Sequence, residues 1–157
     1  MSLDFNLDYS KYDFKDKLEY SFLIQKKLSE EVVREISKIK NEPEWMLEIR
    51  LKGLKHFLER QMPTWGANLS QINFDNIVWF ARATDKKVKS WDELQKNLRE
   101  TWNKLGIPEA EKKFLGGVEA QYDSEVVYGH IKEELSEKGV IFCDMDTAVR
   151  EYPEIVK

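Results

Sequence analysis

Two apolar-periodic runs in "SEEVVREISKIKNEPEWMLEIRLKGLKHFLER", residues 29–60, are separated by Asn41-Glu42-Pro43, and that break dictates helix, stop, helix. Val32, Val33, Ile36 and Ile39 recur at helical spacing, so one stripe faces a core. The Ser29 hydroxyl can cap the free N–H groups, and Glu30 and Glu31 sit at the positive end of the helix dipole. The residue before a proline avoids the helical region, so the first helix ends at the break. Pro43 then suits the first turn of a second helix, where its missing N–H would have gone unpaired anyway. That helix carries Trp45, Met46, Ile49, Leu54, Phe57 and Leu58, and Leu47 and Leu51 widen the apolar arc, which predicts contacts on two sides. Gly53 interrupts it at a cost of ~1 kcal/mol relative to alanine and leaves room for a close neighbour.

The rest of the chain extends this pattern. Residues 1–27 mix acids, lysines and aromatics (Phe5, Tyr9, Tyr12, Phe14, Tyr20, Phe22) without a sustained period and are expected to form an arm laid on the domain. "QMPTWGANLSQINFDN" is a loop with large apolar groups, and the β-branched, aromatic "IVWFARA" at 77–83 predicts a strand. Ser90 and Glu93 form a capping box ahead of a helix with Leu94, Leu98, Trp102 and Leu105 on one face, stopped by Gly106. Pro108 starts a shorter helix, "PEAEKKFL", closed by Gly116-Gly117. A further helix is expected from about Ser124 to Lys138, with Val127, Tyr128, Ile131 and Leu135 as its apolar face and Gly139 as its stop. "VIFC" reads as a second short strand, and Asp146 as the cap of a last helical turn halted by Pro153. The expected fold is mainly α-helical, an α+β class with two short strands.

At 157 residues this is one domain's worth of chain. Lys and Arg total 25 against 29 Asp and Glu, and this small acidic excess offers no broad field for nucleic acid or anionic lipid. No apolar run approaches the roughly 18 residues of a membrane span, and the first residues lack the pattern of a signal peptide. The single cysteine, Cys143, fits a reducing compartment, so a cytoplasmic location is expected.

Cys143 ends the apolar run Val140-Ile141-Phe142, and Asp144 and Asp146 beside it disfavour a thiolate. One thiol is too few for a thiolate metal site. His56 and His130 are the only histidines, neither falls in a metal or triad motif, and an enzyme is not expected. Five tryptophans accompany interleaved lysines and acids rather than a basic groove, so they are read as anchors and not as a base-stacking platform. "TWGANLSQINFDNIVWF" can either seal its own loop or dock a partner, and Trp65, Phe74 and Trp79 are the candidate docking residues.

Four stretches, in this order and at these spacings, carry a resemblance: "LSEEVVREISKIKNEPEWMLEIRLKGLKHF", "MPTWGANLSQINFDNI", "LGIPEAEKKFLGGVEAQYDSEVVY" and "KGVIFCDMDTAVREYPEIVK". Together they resemble the N-terminal region of the SufB family, the scaffold of the SUF iron–sulfur cluster assembly system, from about Leu28 to Lys157. Glu119 departs from the small residue usual there. The resemblance implies residues 28–157 as a helical N-terminal domain preceding a β-helix that would hold the cluster ligands. No catalytic, cofactor or metal residue is therefore expected within these positions. It implies the SufC ATPase, the SufD paralogue and a cysteine desulfurase sulfur donor as partners, and no nucleic acid or membrane. The alternative is an independent adaptor using the Trp/Phe-rich loop.

Overall fold

The computed structural model describes residues 10, 13–15, 19–24, 27–106 and 115–157. Helix α1 (Glu30–Lys40) begins where expected: the Val32 N–H donates to the Ser29 hydroxyl at 3.3 Å, and Glu30 pairs with Arg34 one turn on. It ends at Asn41, whose left-handed φ of 52° lets its N–H turn back to the carbonyls of Ser37 and Lys38. Pro43 precedes α2 (Glu44–Glu59).

Strand β1 (Phe22–Ile24) runs antiparallel to β2 (Phe80–Arg82), with Leu23 opposite Ala81. The end of the expected arm is thus built into a sheet. Phe14 lies under the Lys104 ammonium, 5.1 Å from its ring centre, while Phe5, Tyr9 and Tyr12 lie outside the described residues. The helix expected over "PEAEKKFL" falls outside them as well, up to residue 114.

Helix α3 (Lys96–Lys104) starts later than the capping box predicted. The Ser90 hydroxyl instead accepts from the Asp92 N–H and opens a single 3-10 turn, Trp91–Glu93. Leu94, Leu98 and Trp102 are buried as expected, Leu105 is exposed, and Gly106 (φ 75°) stops the helix.

The largest correction lies at 117–138. Here β3 (Gly117–Tyr122) and β4 (Glu125–Ile131) form an antiparallel hairpin, and only α4 (Glu133–Glu137) is helical. Asp123, at φ 51°, makes the tight turn. Val126-Val127-Tyr128 is β-branched and aromatic and pairs readily across a sheet, which overrides the helical spacing of Val127, Tyr128 and Ile131. "VIFC" joins no ladder: Val140, Ile141 and Phe142 are exposed, and the Phe142 ring lies so close to Gly117 that a Cβ there would sit 2.8 Å from it. Asp144, rather than Asp146, caps α5 (Met145–Glu151), and α6 (Pro153–Val156) follows. The α+β class holds, with four strands among the described residues arranged as two antiparallel pairs.

Two apolar clusters hold these elements. One joins α3 to the hairpin through Leu98, Trp102, Val127 and Tyr128; the other joins β1, α1 and β2 through Ile24, Val32 and Phe80. The hairpin tip links them. The Ser124 N–H donates to the Ala81 carbonyl at 3.2 Å, and the Ala81 N–H donates to the Ser124 hydroxyl at 3.0 Å. Arg82 grips Glu125 through two bonds of 2.7 Å.

Candidate docking surface

The three candidate docking residues separate in the structure. Phe74 and Trp79 come together and pack against Phe57 of α2: Phe57 meets Phe74 edge-on at 5.2 Å and Trp79 at 5.9 Å, and Phe74 stacks on Trp79 at 6.3 Å. This trio ties the 61–79 loop to α2, as edge-to-face rings do. Trp65 stands apart, 82% exposed, in a segment whose hydrogen bonds are local, such as the Ser70 N–H to the Asn68 side chain. Beside the trio a groove of about 330 Å³ runs between α1 and α2, lined by Val33, Ile36, Gly53, Leu54, Phe57 and Trp79 among others. Ile49, Leu58, Ile72 and Val78 add further exposed apolar side chains from α2 and the loop. Sequence reasoning placed the loop but not its partner Phe57; that residue's surface position on an amphipathic helix was the available signal.

The Trp79 indole N–H is buried with no acceptor among the described residues, which costs about 1–3 kcal/mol. Trp79→Phe removes this donor and keeps an aromatic ring against Phe57. Thermal unfolding is expected to show an unchanged or raised midpoint, and a drop of several degrees would refute this account of the indole.

A second polar site gathers residues distant in sequence. Lys40, nearly buried, pairs with Asp146 and lies 3.7 Å from Glu125; Lys87 bridges Glu119 at 2.9 Å and Asp144 at 2.6 Å. Arg150 donates to the Lys40 carbonyl at the end of α1. These bonds fasten α5 to α1 and the hairpin. Burial alone would raise the Asp144 pKa, but the Lys87 ammonium and the Thr147 N–H and hydroxyl outweigh it, so it falls from 3.8 to about 2. A carboxylate depressed in the folded state contributes stability above its unfolded pKa and loses it as pH falls toward 2. Asp144→Asn, which still caps α5, is expected to cost about 1 kcal/mol at pH 7 after solvent screening and little near pH 2. Urea unfolding at both pH values measures it; an equal cost at both would show that charge is not the cause.

The half-buried Cys143 thiol is pushed above its ordinary pKa, first by burial and then by Asp144 and Glu119, with Lys87 only partly opposing. It is therefore a thiol and not a thiolate at neutral pH. His56 and His130 are both exposed, and His130 lies on β4 rather than on a helix with Glu133 and Glu134. Among the described residues no three His, Cys, Asp or Glu side chains gather as metal ligands would. None of the described helices is long and apolar enough to cross a membrane.

The chain is homologous, over 147 of its residues, to iron–sulfur cluster assembly proteins of the SufBD family. A SufBD family protein of Staphylococcus haemolyticus is 51% identical over those residues, which make up 94% of this chain and 32% of that protein. SufBD family proteins of Staphylococcus aureus strains USA300 and NCTC 8325 match at the same identity and coverage. The chain thus spans about a third of the length of the relatives it matches. No protein-family model matches it, and no solved structure matches it.

Proposed function

We propose that this chain is the N-terminal, non-catalytic part of a SufB-like scaffold, working in the cytoplasm. Residues 28–157 form its domain and residues 1–27 an arm. Its task is to support the scaffold core and to dock members of the SUF assembly, the SufC ATPase and SufD among them, with sulfur supplied by a cysteine desulfurase. The observation that carries this reading is the 51% identity along 94% of the chain against only a third of each relative. The protonated lone thiol supports it too, because a cluster needs several thiolate or imidazole donors. On this reading the iron–sulfur cluster is cargo held elsewhere in the scaffold. Trp65, Phe74 and Trp79 mark the docking face.

Two measurements test it. Anaerobic reconstitution of the 157-residue chain with iron and sulfide is expected to leave no cluster absorbance after desalting, and a retained cluster overturns the non-ligating role. Affinity capture with purified SufB, SufC and SufD is expected to retain at least one of them, and Trp65→Ala is expected to weaken that capture without changing the circular dichroism. Trp65, being so exposed, also fits an independent adaptor. Capture of none of the three, with a Trp65-dependent partner outside the SUF set, would replace the scaffold reading by that one.

A further inference from the structure

A helix on the surface of a domain ordinarily docks by its apolar stripe and leaves its charges in water. The segment Val140–Lys157, which carries α5 and α6, is built the other way round. Val140, Ile141, Phe142, Met145 and Ile155 are exposed, and Val149 is its one buried apolar side chain. Neither apolar cluster takes a residue from beyond Tyr128 among the described residues. What the segment turns inward is charge. Asp144 meets Lys87 at 2.6 Å, Asp146 meets Lys40, and Arg150 donates to the Lys40 carbonyl at 3.1 Å. Both lysines belong to the body of the domain: Lys40 closes α1, and Lys87 precedes Val88, which bridges to Tyr128 of β4. Just ahead of the segment stands Gly139, left-handed at φ 82°, with no atom within 4 Å of where a Cβ would lie.

We infer that Val140–Lys157 is a strap held down by an ionic latch, which swings about Gly139 and lifts as a unit while the two strand pairs and α1 to α3 stay folded. Segments with few buried apolar contacts open well below the free energy of global unfolding. Closing this one sets Asp144 and Asp146 against Lys87 and Lys40; opening it returns those charges to water, where dissolved ions screen them. Salts excluded from protein surfaces strengthen apolar burial, so loosening by salt is the mark of the ion pairs rather than of Val149 or of the Phe142 ring over Gly117. Gly139 serves as the pivot because a residue without a side chain enters and leaves the left-handed region at no steric cost. Ionic strength therefore sets how often the strap is open. The inference stands on this geometry and is independent of the SUF assignment.

The test is amide hydrogen exchange of the wild-type chain, followed by NMR in low salt and in about 1 M sodium chloride, where the screening length falls to about 3 Å. The Ala148, Tyr152 and Val156 amides, bonded within the strap at 2.9, 2.9 and 3.2 Å, report its opening. They are expected to exchange about tenfold or more faster at the higher salt, while the amides bonded between β3 and β4 keep their rate. The double variant Lys87→Met/Asp146→Asn removes one partner from each pair and leaves Asp144 to cap α5. It is expected to exchange at low salt as the wild type does at high salt, with little further response. Hairpin protection in the same spectra shows whether the variant is folded; if it is not, the wild-type salt comparison decides alone. Strap amides indifferent to salt overturn the proposal, because apolar packing then holds the segment. So does exchange of the strap in step with the hairpin, which would make them one cooperative unit, and so does a folded double variant that keeps the wild-type salt response.

Discussion

Phe80→Ala is expected to destabilise the chain by about 3–5 kcal/mol, the range for removing a large ring from a closed core. The ring is 2% exposed and packs with Ile24 and Val32, with Phe22 edge-on at 6.3 Å. It also lies under two cations, Lys40 at 5.6 Å and Arg82 at 5.8 Å. Its loss therefore opens a cavity and loosens both the strand pair and the ion cluster above it. Because Trp79 packs against the same cluster, the aromatic trio is expected to lose its support, with Trp fluorescence shifting to the red before global unfolding. Chemical denaturation measures the loss, and a cost below about 1 kcal/mol would show that neighbours close the cavity without strain.

Arg50→Leu is expected to cost about 3 kcal/mol at pH 7, because it strands a carboxylate away from water. Glu42, between α1 and α2, has a side chain only 2% exposed and accepts two bonds from the Arg50 guanidinium, at 2.7 and 2.5 Å. Burial pushes the Glu42 pKa up, but Arg50 more than offsets it and the net shift is downward. Without Arg50 the burial effect is opposed only by the Ser37 hydroxyl and the Lys40 ammonium, so the variant is expected to regain stability as pH is lowered and Glu42 takes up a proton. The double change Glu42→Leu/Arg50→Leu is expected to recover most of the loss, since no charge is then left unpaired. Urea midpoints for the three variants at two pH values decide this. A double variant as unstable as the single one would mean that the pair fixes the bend between the helices rather than merely neutralising itself.

Much of this was legible where the determinants are local. Ser29, Asn41, Gly106 and Gly139 act within a turn of themselves, and caps and stops can be read from single residues. The hairpin was not read because Val127, Tyr128, Ile131 and Leu135 satisfy a helical repeat, whereas what places Tyr128 and Ile131 is pairing with Ala120 and Gly117. Asp144 and Asp146 are equivalent as caps in sequence. Thr147 is positioned to donate its N–H and hydroxyl to the first, and Lys40, on the other side of the fold, claims the second. The ion cluster spans more than a hundred residues of separation, and no spacing rule reaches that far. The docking face was half legible. Large apolar residues in a polar loop stand out, yet whether each is covered depends on α2, which covers Phe74 and Trp79 and leaves Trp65 bare.

The bonds between Ser124 and Ala81 tie the two strand pairs together. During synthesis Phe22–Ile24 emerges some sixty residues before its partner Phe80–Arg82, and the hairpin tip that locks that partner follows about forty residues later. The two early helices can form on the ribosome from contacts close in the chain, but the sheet must wait for long loops to close, which is slow. A nascent chain stalled before residue 80 therefore keeps Ile24 and Val32 without the ring that covers them, and that interval is when chaperones should hold it most firmly.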